Sequence, residues 1–325
     1  MRYLLLFILW LMGAGFSSAH EIRPALLQLE EKNTSVFEVR WKQPVADGRR
    51  LALEPELPAE CVQRGEETAQ IVDAAIIRTW TVVCDMSEGS IAVAGLDRTL
   101  TDVFIQVSYL SGDVRSAIIR PGEPGLDLST TEHNGAVFTY LTLGIEHILS
   151  GPDHLLFVAG LLLLARLRQL FYVITAFTLA HSLTLALTTL GWVSLASAPV
   201  ELMIAVSIVL LAVEAVRAID GVPSFTAEHP WLVSFGFGLL HGFGFAGALS
   251  DIGLPDGAEL FALFYFNVGV EIGQLIFVGV LLGLGYVILR LVGERIAAAR
   301  RLLAYGVGIS GAFWVFERVQ NLLFV

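Results

Sequence analysis

The sequence has few cysteines, few basic residues and no nucleotide-binding loop. Two cysteines, Cys61 and Cys84, cannot alone supply the ligand spacing of a structural zinc site. The chain has 20 lysines and arginines against 31 aspartates and glutamates, and its net charge of −11 argues against nucleic acid as a partner. Neither GxxxxGKS nor GxxxxGKT occurs, so any transport by this chain is not driven by an ATP site of its own.

Long apolar runs dominate the last two thirds of the chain, and the mean hydropathy is +0.70. A segment needs about 20 apolar residues to cross a hydrocarbon core about 30 Å thick. The sequence therefore predicts an α-helical bundle of six transmembrane helices over residues 136–325. The six predicted spans are 136–164, 170–190, 199–218, 231–250, 258–289 and 302–323.

Residues 1–19 have the pattern of a secretory signal peptide, with Arg2, an apolar core and the small residues Ser17-Ser18-Ala19 before the cleavage site. An uncleaved first transmembrane helix is the alternative. Cleavage after Ala19 would leave His20 at the mature N-terminus. Its free amine and imidazole could then chelate a metal ion, although an exposed terminal residue without a role fits equally well.

Residues 20–120 alternate between apolar and polar positions, as in PALLQLEE and SVFEVRWK, and predict an exported β-sandwich of about seven strands. A segment rich in Pro, Gly and Ser, 121–135, is predicted to link it to the membrane. Because exported segments meet an oxidising compartment, Cys61 and Cys84 are expected to form a disulfide.

The arginines predict the orientation of the spans. If the β domain is outside, the connections ARLRQ, 217–229 and RLVGERIAAARR lie inside and carry the arginines. The outer connections GWVSLASA and SDIGLPDGAE contain no lysine or arginine. This positive-inside bias predicts that both mature ends lie outside.

Four predicted spans carry a titratable side chain near their centres. With a helix rise of about 1.5 Å per residue, His147 and His154 flank the centre of the first span. His181, His241 and Glu271 lie near the centres of the second, fourth and fifth. Burying such groups in hydrocarbon costs several kcal/mol each, so they are expected to face one another or water.

The stretch EHILSGPDH, residues 146–154, has the densest set of such groups. His147 and His154 are seven residues apart, so on a continuous helix they share one face, and Glu146 and Asp153 share the neighbouring face. The Gly-Pro pair between them predicts a kink or break. Structural pairing between helices is the alternative to a binding role.

Three further polar residues are candidates for a second layer or a path, together with Glu146. Asn267 and Gln274 flank Glu271 on one helix face, and hydrogen bonding between helices is their alternative role. Glu201 opens the third span at its outer end, as either a ligand at the mouth or an interfacial residue. The adjacent charges Glu317 and Arg318 are interpreted as interfacial or paired rather than as part of a site.

Imidazole and carboxylate ligands suit Ni, Co, Zn, Cu or Fe, and these ligand types do not choose among the metals. The motif HILSGPDH, with His147, Asp153 and His154, resembles the first-helix metal motif of the HupE/UreJ family of hydrogenase and urease accessory membrane proteins. LHGFGFAGAL around His241 and FNVGVEIGQ around Glu271 are similar to later segments of that family. The resemblance covers about residues 136–325.

The resemblance implies a nickel permease of the bacterial inner membrane, in which His147, Asp153 and His154 contact the metal. In that membrane, the orientation predicted from the arginines makes the β domain and the C-terminus periplasmic. The chain departs from the family's short members, which often have proline where Ile148 stands, can have more histidines near His241, and lack a large exported domain. It therefore looks like the longer subtype, and cobalt, zinc or copper stays open as the metal.

Three functions compete at this point. In a metal-ion permease, the β domain would capture the ion and pass it to the central site. In an intramembrane zinc hydrolase, three histidines and a carboxylate would hold zinc, and Asp153 or Glu271 would act as general base. In a sensor or assembly protein, the β domain would contact a periplasmic metalloenzyme or a metal carrier.

Overall fold

The structure is a computed structural model that describes residues 24–46, 49–72, 75–99, 101–122, 125–129, 135–252, 259–292 and 296–324. The predicted signal peptide and His20 lie outside these residues. The chain folds into two compact units, a β-sheet domain and a helical domain.

The β-sheet domain has ten strands within the described residues. They are β1 (Ala25–Asn33), β2 (Val36–Ala46), β3 (Arg49–Arg50), β4 (Glu54–Glu56), β5 (Val62–Val72), β6 (Ala75–Val83), β7 (Ser90–Ala94), β8 (Val103–Ser108), β9 (Val114–Ile119) and β10 (Gly125–Asp127).

These strands form two sheets that share one core. The larger sheet has the order β5-β6-β2-β1-β8-β9, with β3 paired to β2, and the smaller has the order β10-β7-β4. Strands β1 and β8 pair in parallel, whereas the other pairs are antiparallel. Buried residues from both sheets, such as Leu27, Trp80 and Ile91, belong to the same apolar cluster. The expectation of an N-terminal β domain is therefore confirmed.

Two parts of this domain differ from the sequence expectation. Strand β5 was not predicted, because its residues 62–71 are exposed on both faces and show no apolar alternation. It pairs only with β6, at the edge of the sheet, where a polar strand discourages further pairing. Strand β10 comes from the predicted linker, and the next residue, Leu128, is fully buried in the core.

A disulfide bond joins Cys61, just before β5, to Cys84, just after β6, as predicted. Cys84 is buried in the core, and Cys61 packs against it. The bond therefore ties the polar edge strand to the hydrophobic centre of the domain.

The helical domain has eight α-helices within the described residues. They are α1 (Gly135–Ser150), α2 (Pro152–Leu164), α3 (Leu170–Thr189), α4 (Ser197–Ile219), α5 (Phe225–Glu228), α6 (Pro230–Ile252), α7 (Glu259–Val292) and α8 (Ile296–Phe324).

Four helical segments in the described part of the chain are long and apolar enough to cross a membrane: Leu167–Thr189, Ser197–Ile219, Glu259–Val287 and Ala297–Leu323. The pair α1 and α2 passes the same test as a fifth, bent segment. Helix α6 covers the fourth predicted span, but its side chains beyond residue 245 lie outside the described part. Four to five candidate spans are therefore observed, and six stay a prediction.

Glycines allow the helices of this domain to approach closely. A Cβ atom on Gly242 of α6 would lie 2.4 Å from the carbonyl oxygen of His181 on α3. A Cβ atom on Gly144 of α1 would lie 2.0 Å from the carbonyl oxygen of Phe266 on α7. Only glycine fits at such distances, so the glycine pattern around His241 is a packing pattern, as the sequence indicated.

Candidate metal centre

The predicted break in the first span is present at Gly151. Helices α1 and α2 are separated by this single residue and bent by 72°. Pro152 is the first residue of α2, where its missing N–H costs no helical hydrogen bond. A Cβ atom on Gly151 would lie 2.8 Å from Nδ1 of His154 and 2.9 Å from the carbonyl oxygen of His147. The break is therefore packed tightly against both histidines.

His147 and His154 do not share a face of one continuous helix, which corrects the expectation from their spacing. On a straight helix, seven residues would separate them by about 10 Å along the axis. Across the bend, the centroids of the two rings are only 4.6 Å apart. The break, rather than the helical repeat, brings the two imidazoles together.

Three histidines from three helices converge on one point. His147 of α1, His154 of α2 and His181 of α3 each offer a ligand atom, and these atoms all lie within 4.8 Å of one another. The Nε2 atom of each is buried and has no hydrogen-bond partner among the described residues. Buried polar atoms are nearly always paired, so three such atoms in one place mark a candidate ligand site.

The group of His147, His154 and His181 is called the histidine cluster below. His241 of α6 lies next to it. Its ring centroid lies 4.8 Å from that of His154. Both of its ring nitrogens are buried and lack a hydrogen-bond partner within the described part of the chain. His241 is thus placed next to the three grouped ligand atoms, although it is not one of them.

Phenylalanine side chains surround the histidine cluster. The ring of Phe245 lies 3.8 Å from that of His147, and the ring of Phe177 lies 5.1 Å from that of His241. Phe157 and Phe266 add further ring contacts. The sequence does not single out these phenylalanines, since aromatic residues are ordinary in an apolar span. They surround the imidazole rings with apolar side chains.

Asp153 contacts His154 rather than joining the three grouped ligand atoms. Its Oδ1 atom lies 2.9 Å from Nδ1 of His154 and accepts a hydrogen bond from the His154 backbone amide at 2.8 Å. When Nδ1 donates to this carboxylate, the lone pair of Nε2 is free for a metal. Carboxylates commonly orient metal-binding histidines in this way.

Asn267 of α7 contacts Nδ1 of His181, as Asp153 contacts Nδ1 of His154. The Oδ1 atom of Asn267 lies 3.3 Å from Nδ1 of His181, while its amide group donates to the carbonyl oxygen of Leu263 at 2.8 Å. The amide nitrogen is thus occupied, so the oxygen is the atom that faces His181. A proton on Nδ1 again leaves Nε2 as the free ligand atom.

Glu271 and Gln274 lie opposite threonines of α3. Thr175 donates to Oε1 of Glu271 at 2.7 Å, and Thr178 donates to Oε1 of Gln274 at 3.2 Å. Together with Asn267 and His181, these contacts form a ladder of polar pairs between α3 and α7. The carboxylate oxygens of Glu271 are not among the three grouped ligand atoms.

Arg318 of α8 connects Glu201 to Asp153. The sequence indicated an interfacial or paired arginine but not these partners. The guanidinium donates to the carbonyl oxygen of Glu201 at 2.7 Å and lies 3.8 Å from the Glu201 carboxylate. The same guanidinium lies 3.9 Å from Oδ2 of Asp153. Glu201 is thus two ionic contacts away from Asp153, which in turn contacts His154 of the cluster. Glu146 is half-buried and directly precedes His147.

Residues 127–318 match the family described as HupE / UreJ protein, which is more than half of the chain. No curated protein and no solved structure matches the chain significantly. The matched region contains all the histidines of the cluster and the apolar helices that carry them. By this match, the chain belongs to the HupE/UreJ family of metal-handling accessory proteins and is a membrane protein.

Proposed function

We propose that this chain is a transition-metal permease of the bacterial inner membrane, with nickel as the metal implied by its family. The observation that carries the proposal is the histidine cluster, whose ligand atoms from three helices lie within 4.8 Å of one another. A metal ion is the substrate in this reading, and it crosses the membrane without covalent chemistry.

The donor set supports transport of a borderline transition-metal ion. Uncharged imidazole nitrogens bind Ni, Co, Zn or Cu well, whereas Mg and Ca prefer oxygen ligands. Asp153, behind His154, offsets part of the ion's charge without occupying a ligand position. Because the nearby helices also carry Glu271, Asn267 and Gln274, polar partners continue along α3 and α7 beyond the cluster.

The wider arrangement is proposed from the sequence. We propose six spans, a signal peptide that is removed, and a periplasmic β-sandwich with the C-terminus on the same side. In this arrangement His20 captures the ion, and the acidic β domain raises the local cation concentration. A periplasmic metal carrier or metalloenzyme is the proposed protein partner.

The same geometry favours a permease over an intramembrane zinc hydrolase. A hydrolase would need a carboxylate free to take a proton from bound water. Asp153 is hydrogen-bonded to His154, and Glu271 accepts a hydrogen bond from Thr175. Both candidate bases therefore already interact with another side chain, and a hydrogen bond to a carboxylate lowers its basicity.

Uptake of Ni, Co, Zn and Cu into proteoliposomes tests the proposal. The unaltered chain would be compared with His181→Ala and His241→Ala. His229→Ala is the matched control, because His229 stacks on Phe225 after α5 and is not part of the cluster. Saturable uptake of one ion, abolished by the first two substitutions only, would support the permease. Tight retention of about one zinc per chain without flux would support the hydrolase.

A further inference from the structure

Arg318 is a charged residue within an apolar segment that can cross the membrane, Ala297–Leu323. Charged side chains within such a segment are rare and usually pair with another group. The side chain of Arg318 is about one-fifth exposed, as is that of Asp153. Two charged groups so poorly exposed to water interact more strongly than a surface pair would.

The guanidinium makes one hydrogen bond and two longer ionic contacts. The hydrogen bond, 2.7 Å long, is to the carbonyl oxygen of Glu201. The separations from the Asp153 and Glu201 carboxylates, 3.9 and 3.8 Å, are longer than hydrogen bonds. Arg318 therefore acts on both carboxylates mainly through its charge.

The two oxygens of Asp153 face different partners. Oδ1 faces the ring of His154, whose other nitrogen belongs to the histidine cluster, and Oδ2 faces Arg318. A carboxylate behind a histidine makes that ring a stronger metal ligand. A positive charge on the far side of the carboxylate reduces this effect and also repels an incoming cation.

We infer that Arg318 is a positioning residue that sets the affinity of the histidine cluster, holding it weak enough for a bound divalent transition-metal ion to leave. The inference rests on the proposed function, since a site that passes ions on must release them. Without the charge of Arg318, the cluster binds the ion more tightly, and release becomes slower.

Metal titration of the purified full-length protein in lipid nanodiscs tests this inference, with Ni²⁺ as the first probe and Co²⁺, Zn²⁺ and Cu²⁺ in parallel. Arg318→Gln removes the charge, and we expect the dissociation constant to fall about tenfold or more. Arg318→Lys keeps the charge and is expected to stay close to the unaltered chain. In proteoliposomes, Arg318→Gln should lower both the half-saturating ion concentration and the maximal rate.

Arg301→Gln is the matched control. Arg301 also lies on α8 and also pairs with a carboxylate, that of Asp220 beyond the end of α4. Its substitution removes a comparable ionic contact that does not involve the cluster or Asp153. We therefore expect unchanged metal affinity. If Arg318→Gln does not fold, Arg318→Met removes the same charge while keeping an apolar stem, and the same gain in affinity is expected.

Equal or weaker affinity in the uncharged variants would overturn the inference, because a merely structural arginine cannot strengthen binding when it is lost. Metal binding without flux in the unaltered chain would contradict the permease, yet the change in affinity would still decide the role of Arg318. Absence of metal binding by the unaltered chain would overturn both.

Discussion

The Nδ1 atom of His154 lies 2.9 Å from Oδ1 of Asp153, the residue that directly precedes it. Neighbours in a regular helix point in different directions and do not usually meet. Here both residues are in the first turn of α2, and the Asp153 carboxylate turns back to accept from the free backbone amide of His154. The helix start thus fixes the orientation of a ring in the histidine cluster.

Asp153→Asn is predicted to weaken metal binding about 10- to 100-fold, the usual cost of losing a partner behind a metal ligand. Asparagine keeps the size of the side chain but loses its charge, so His154 becomes a weaker ligand. Calorimetric titration with Ni²⁺ measures the change. Asp220→Asn, which affects the partner of Arg301, is the control, and equal affinity in both variants would refute the prediction.

Gly242→Ala is predicted to destabilise the helical domain by about 1–3 kcal/mol, the range typical of overpacking. The added Cβ would lie 2.1 Å from Oγ1 of Thr184 and 2.4 Å from the carbonyl oxygen of His181, so α3 and α6 must separate. Thermal unfolding in detergent measures this. Gly236→Ala on the same helix has open space and should leave the unfolding temperature unchanged or raised. Equal losses in both variants would contradict the packing argument.

Glu271→Gln is predicted to slow flux while leaving metal affinity at the histidine cluster unchanged. The amide oxygen can still accept from Thr175, so the contact between α3 and α7 persists and only the charge is lost. Titration and proteoliposome uptake separate the two effects. Glu214→Gln is the control, since Glu214 likewise accepts from a hydroxyl, that of Ser224, at 2.7 Å. A large loss of affinity would instead identify Glu271 as a ligand of the same ion.

Joint replacement of Cys61 and Cys84 by alanine is predicted to destabilise the β-sheet domain by about 3 kcal/mol, because the bond closes a loop of 23 residues. Hydrogen exchange of the full chain, followed by mass spectrometry, should show faster exchange in β5 and β6 than in the unaltered chain. Reductant should reproduce the effect in the unaltered chain and add nothing in the double variant. Unchanged exchange would show that the core holds β5 without the bond.

The sequence by itself determined the features that depend on local composition. Apolar length predicted the helices that can cross a membrane, four to five of which are observed. Period-two alternation predicted the main β-strands, and the two cysteines allowed only one intrachain pair. The Gly-Pro pair predicted the break after Ser150. Each follows from residue chemistry within one short segment. The expectation that buried histidines would face one another follows from their similar depth in four predicted spans.

The tertiary structure decided the contacts between segments. The exposed edge strand β5 has no apolar signal, and its place depends on pairing with β6. The 72° bend turned a two-turn spacing of His147 and His154 into a ring contact. The approach of α8 to α2 placed Arg318, far away in sequence, beside Asp153. Such contacts depend on the angles and depths at which helices pack, which are set by many weak interactions and by no single motif.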